Sequence, residues 1–180
     1  MTTETSAEAP RRVFRSVPPA VSSFDACIGL LSKVEEAPHD ATGALTFEDG
    51  LVLVERRRVC WAISSSMGLY LTDLLCEGES RNIERCEIEQ VYRRCKKRGL
   101  RLSEELLASG LISQSRLQHV LREHNSEAIV RLSRSRGAPR FRRMARGGYD
   151  ERFLLTPVEL LAAIGARSGE SRAQRAALEL

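Results

Sequence analysis

Seven arginines fall between positions 131 and 146: Arg131, Arg134, Arg136, Arg140, Arg142, Arg143 and Arg146. A guanidinium is planar and permanently charged, and it suits two-pronged contact with carboxylate or phosphate. Three chemistries fit such a strip. It can dock an acidic protein surface, track a nucleic-acid backbone, or be solvated surface in a chain with 25 Arg and only 3 Lys. Phe141 is the one aromatic within the strip, so no base-stacking platform is visible. Arg56, Arg57 and Arg58 form a second, shorter run. The net charge of +4 hides this unevenness: residues 131–147 carry +7, whereas residues 1–80 sum to −5. The strip and the Arg56–Arg58 run are the candidate partner-binding residues, and an acidic protein surface is the expected partner.

Catalytic patterns are absent from the sequence: it has no G-x-S-x-G, no phosphate-binding loop and no G-x-G-x-x-G. Ser64, Ser65 and Ser66 sit between an expected strand and helix, where Ser65 or Ser66 is read as a helix cap rather than a nucleophile. His119 and His124 are five apart, which turns them about 140° from one another on a helix. Two ligands on one helical face need a spacing of four, so no metal site is expected. Glu84, Glu87 and Glu89 read as a solvated, ion-paired helix face. Five cysteines, an odd number without a C-x-x-C pair, argue for reduced, small, buried hydrophobes. No catalytic residue and no cofactor is expected.

The elements that must position these residues follow from pattern. Hydrophobic content of 42% excludes a wholly disordered chain. The longest aliphatic run, Leu51-Val52-Leu53-Val54, is far short of the roughly 20 residues of a membrane span. The polar Met1–Pro10 stretch has no signal-peptide character, which points to the cytoplasm. Residues 1–21 read as a disordered arm, 22–166 as one α+β domain, and 167–180 as a frayed or helical tail. A helix is expected at about 23–36, with Phe24, Cys27, Ile28, Leu31 and Val34 inward. Ala44–Phe47 and Leu51–Val54 flank Glu48-Asp49-Gly50, the signature of a hairpin with Asp-Gly at a type I′ turn. Val59–Ile63 adds a third strand and completes an antiparallel meander. Helices are then expected at Met67–Leu75, from an Asn82 cap to Arg98, from a Ser103 cap to Gly110, from a Ser113 cap through Leu132, and from Thr156-Pro157 onward. Residues 139–155 read as a short hairpin around Gly147-Gly148. The fold class is therefore α+β: a small antiparallel sheet packed against several helices.

Thr42-Gly43-Ala44-Leu45, Arg58-Val59-Cys60-Trp61-Ala62, Glu127-Ala128-Ile129, Pro139-Arg140-Phe141 and Pro157-Val158-Glu159-Leu160-Leu161 together resemble the PatA-type N-terminal domain, a bacterial signalling family. The family usually has Gly in the turn before the third strand, where this chain has Arg56-Arg57-Arg58. The resemblance implies a non-catalytic signalling adaptor acting through protein contacts, with a small Ras-like GTPase or a response regulator as partner. Within it, Arg101-Leu102-Ser103 through Gly110-Leu111 and on to His124 is similar to the cyclic di-GMP-binding motif of type II secretion ATPase N-domains. That similarity implies an alternative, a nucleotide site using Arg101, Leu102 and His124. Here Ser103 replaces the motif's Gly and His124 its terminal Gln. Nucleic-acid binding by the 131–146 strip is the second alternative.

Overall fold

The computed structural model describes residues 23–68, 71–77, 83–145 and 149–178. The expected arm, the Asn82 cap, the Gly147-Gly148 turn and Arg146 lie outside these. The elements run in the order α1 (Ser23–Glu35), β1 (Thr42–Phe47), β2 (Gly50–Glu55), β3 (Arg58–Ser64), α2 (Leu71–Cys76), α3 (Arg85–Arg98), α4 (Leu102–Ala108), α5 (Gln114–Leu132), β4 (Arg140–Arg143), a 3₁₀ turn at Glu151–Phe153, and α6 (Pro157–Leu178). The chain is α+β, with an antiparallel sheet in the order β3-β2-β1-β4. The tail continues as helix through Leu178.

Two-residue turns join β1 to β2 and β2 to β3, but the primed turn is not where the Asp-Gly pair suggests. Phe47 pairs with Gly50, so Glu48 and Asp49 form the first turn, and neither has positive φ. Gly50 instead opens β2, where a Cβ would come within 2.1 Å of the Ile63 carbonyl oxygen. Asp49 holds this turn by accepting from the hydroxyls of Ser64 and Ser135 and, through its carbonyl, from the Ser65 amide. The left-handed turn is the second one, at Arg56 (φ 50°) and Arg57 (φ 60°). Positive φ at both central positions is the type I′ requirement that Asn-Gly usually meets. The expected 139–155 hairpin does not form either. Its first half, β4, pairs with β1, while Leu155 exchanges both backbone hydrogen bonds with Val59 on the far side of the sheet. At the end of the sheet the buried Glu55 carboxylate accepts from the Tyr149 amide at 2.9 Å.

The register sorts the sheet into two faces, because paired residues project to the same side. Phe141, Leu45, Val52 and Ala62 form one row. They pack on α1, α6 and the C-terminal half of α5 in a first core with Leu31, Ile129, Leu132 and Leu160. On the opposite face, Arg142, Ala44, Leu53 and Trp61 form one row and Arg140, Thr46, Leu51 and Ile63 the next. The Trp61 end of that face meets a second core built from α2, α3, α4 and the N-terminal half of α5.

Helix α5 belongs to both cores. Leu117, Val120 and Leu121 pack in the second, and Ala128, Ile129 and Leu132 in the first. Ser113 caps it, accepting from the Arg116 amide at 3.2 Å, as its position predicts. Thr156 and Glu159 form the expected capping box of α6, with Pro157 as the first helical residue. Ser103 lies inside α4, whose cap position is Arg101, so the expected cap is two residues late. In α3 the cap position is Glu84, whose amide donates to the Glu87 carboxylate at 3.1 Å. In α1 the inward stripe is Cys27, Leu30, Leu31 and Val34, whereas Phe24 and Ile28 remain about 40% exposed. On α3, Tyr92 is one residue past the buried Val91 and is 55% exposed.

Candidate functional site

The arginine strip divides into two parts. Arg131 lies in the last turn of α5 and is tied to Glu127 at 2.7 Å, with Arg167 on the other Glu127 oxygen at 3.0 Å. Burial raises the Glu127 pKa, but the two guanidiniums outweigh it and hold the carboxyl below its usual range. Arg131 is therefore a structural cation. Arg134, Arg136, Arg140, Arg142 and Arg143 are exposed. Arg143 reaches Asp40 at 3.5 Å, and among the described residues the other four form no ion pair.

Three of these residues lie on β4, an outer strand. Gly43 permits the strand's close approach: a Cβ there would fall 2.4 Å from the Phe141 ring. Phe141 packs against the first core and anchors the strand, so it is not a stacking platform for bases. The Met144 amide donates to the Thr42 carbonyl at 2.9 Å, and Ala44 lies opposite Arg142. Antiparallel alternation then turns the N–H and C=O groups of Phe141 and Arg143 outward. No described strand pairs with them.

Arg56, Arg57 and Arg58 do not join this strip. They lie at the same end of the sheet but beyond β1 and β2. Arg56 forms an ion pair with Glu151, and the Arg57 Nε donates to the Ala37 carbonyl at 3.0 Å. Two of the three therefore hold their own strained turn in place. Arg58 is exposed at the start of β3.

Arg101 and Leu102 are brought to a cavity of about 480 Å³ beneath Trp61. The wall includes Leu53, Leu106, Leu117 and Phe153, with Asp150 at its polar side. His124 does not line it. Instead it is 3% exposed and stacks on the Trp61 ring, centroids 4.2 Å apart. Burial pushes its pKa down. The three residues of the nucleotide alternative are therefore not assembled in one pocket. His119 points elsewhere, half exposed and 3.5 Å from Glu123.

Helical spacing puts His124 in phase with the apolar residues Leu121 and Ala128 of α5, but pattern reading overlooked its polar neighbours Asn125 and Ser126. His124, Asn125 and Ser126 are all buried. The Asn125 Oδ1 accepts from the backbone N–H of Ala62 at 2.7 Å, satisfying a donor on the outer side of β3. Among the described residues, both His124 ring nitrogens, the Asn125 Nδ2 and the Ser126 Oγ meet no partner in good hydrogen-bond geometry, although the Ala62 backbone lies near enough to the His124 ring to oppose part of the fall in its pKa. Three consecutive polar residues inside an apolar-periodic helix were the available signal.

The serines at 64–66 close a turn rather than cap a helix: Ser64 bonds to Asp49 and to Ser66 at 2.9 Å. Cys27, Cys60 and Cys95 are buried as expected, but Cys76 is partly exposed and Cys86 is exposed. Burial, with the Glu55 charge second, pushes the Cys60 thiol up to about 12. Among the described residues no three His, Cys, Asp or Glu side chains converge as a metal site needs, and no helix is long and apolar enough to cross a membrane. In comparisons with known proteins, the sequence matches no family model, no curated protein and no solved structure.

Proposed function

We propose that this chain is a non-catalytic adaptor of bacterial signalling that docks an acidic partner segment along β4. One observation carries the reading: the exposed arginines and the outward N–H and C=O groups of Phe141 and Arg143 occupy the same open strand edge. A partner strand added there gains main-chain hydrogen bonds, and its carboxylates meet Arg140, Arg142 and Arg143. The resemblance to PatA-type domains supports a small Ras-like GTPase or a response regulator as the partner class. A nucleic-acid partner is less favoured, because Phe141 is committed to the core and offers bases nothing to stack on.

The test compares the full chain with a variant carrying Arg140→Glu, Arg142→Glu and Arg143→Glu. The wild type is expected to bind its GTPase or receiver partner with slowed amide exchange at Phe141 and Arg143. The variant is expected to lose at least tenfold in affinity. Unchanged partner binding by the variant, or protection elsewhere with none on β4, removes the assignment.

A further inference from the structure

We propose that the cavity beneath Trp61 takes a medium-chain aliphatic carboxylate, with its alkyl chain among the leucines and its headgroup at Arg101. This goes beyond the docking edge and stands or falls separately from it.

The volume of about 480 Å³ lies within the usual range for small-molecule sites and suits a chain of about eight to twelve carbons. The wall is mainly apolar, with Leu53, Leu102, Leu106, Leu117 and Leu121 among its residues. Such a surface rewards apolar area without demanding directional partners. Arg101, Ser103 and Asp150 bring polar groups to the wall; Arg101 and Ser103 lie at the start of α4, and Arg101 is near enough to Asp150 to add a small part to the lowering of its pKa, which Arg152 dominates. Asp150 is already engaged, accepting from Arg152 Nε at 3.0 and 3.1 Å and from Nη2 at 2.6 Å. Among the described residues Arg101 forms one ion pair, to Glu104 at 3.2 Å, between side chains that are each about half exposed. A pair so exposed is worth little, and the remaining guanidinium N–H groups stay available. The charges at the cavity balance, but the Asp150 carboxylate is taken up by Arg152 whereas Arg101 keeps free N–H donors, and free donors suit an anionic headgroup better than a cationic one.

Trp61, the sole tryptophan, lines the cavity and reports its occupancy. Octanoate, decanoate and dodecanoate, each below its micelle concentration, are titrated into the full chain by Trp61 emission and calorimetry. Saturable one-to-one binding is expected, tightening about fourfold per added CH₂ until the chain outgrows the cavity. Arg101→Gln is expected to weaken decanoate at least fivefold while leaving decan-1-ol unchanged. Decyltrimethylammonium is expected to bind at least tenfold more weakly than decanoate. Leu102→Phe narrows the cavity from a partly exposed position and is expected to weaken all chain lengths, with its fold checked by circular dichroism. Absence of saturable binding overturns the proposal, as does equal affinity for the anion and the cation. An unchanged decanoate affinity in Arg101→Gln overturns it too.

Discussion

The two outer strands of one sheet meet their surroundings in opposite ways. On β3 the outward groups are taken up by the protein itself: Val59 pairs with Leu155, and the Ala62 amide donates to Asn125 on α5. On β4 the outward groups of Phe141 and Arg143 meet no described strand, and the strand's arginines are exposed. An exposed edge invites pairing with any other strand, and charged residues are one way to limit that. Here the charges are all of one sign. They repel basic strands and attract acidic ones. The sealed edge therefore belongs to stability, and the other is the edge at which the proposed partner would dock.

The largest expected effect breaks the sealed edge. Asn125→Leu keeps side-chain bulk but removes the acceptor of the Ala62 amide, leaving a buried donor unpaired. The cost is about 1–3 kcal/mol. At this chain length each kcal/mol lowers Tm by roughly 2–4 °C. Thermal unfolding measures the loss, and hydrogen exchange should place it at the Ala62 amide. An unchanged Tm means that α5 covers β3 by packing alone.

The second test uses the neighbouring histidine. Burial disfavours its charged form, so its folded pKa lies below the ordinary value near 6.5. Between those two values the unfolded chain binds more protons than the folded one. Stability is thus fully present above about pH 6.5 and falls as the pH drops, by at most about 1.4 kcal/mol per pH unit for one proton. Glu127, Asp150 and Glu159 are also held low, but they start from carboxylate values and titrate at more acidic pH. His124→Phe preserves a ring against Trp61 and should flatten the slope between pH 6.5 and 5. A slope that survives this change belongs to other groups.

These two residues also mark where pattern reading reaches its limit. Helix starts with a local chemical cause were legible, as at Ser113 and Thr156-Pro157. The first three strands were legible too, because alternation and short turns are local. The position of β4 was not. Residues 139–155 carry two strand-like pieces, and only tertiary contacts decide that one pairs with β1 and the other with β3. The arginine strip was legible as charge, but its coincidence with an unpaired edge was not. Likewise, the spacing of His124 from Leu121 and Ala128 made it an inward residue, while nothing local told that Asn125 would meet a strand edge.

A smaller effect concerns the turn at the covered side of the sheet. Arg56 holds a positive φ that a non-glycine side chain adopts at a cost, and Asn tolerates that region better. Its ion pair with Glu151 joins side chains 61% and 68% exposed, so losing it costs little. Arg56→Asn is expected to stabilise by about 0.5 kcal/mol. Arg57→Gly relieves similar strain but gives up the bond to the Ala37 carbonyl, and its net effect should be near zero. Denaturant unfolding of the two variants separates these outcomes; a loss from Arg56→Asn would make that surface pair structural.

The smallest effect on stability is expected where the effect on binding is largest. Arg140, Arg142 and Arg143 are exposed and bury nothing, and Arg143 has only its long contact to Asp40. Exposed substitutions of this kind usually shift stability by no more than about 0.5 kcal/mol each. Shifts of that size carry either sign, so the three need not add in one direction. The triple variant should therefore unfold within about 1 kcal/mol of the wild type in urea. A larger loss would mean that the arginines hold β4 against β1, and the open edge would then be as structural as the closed one. If stability is unchanged while partner binding is lost, the charges on β4 serve what lies outside the molecule.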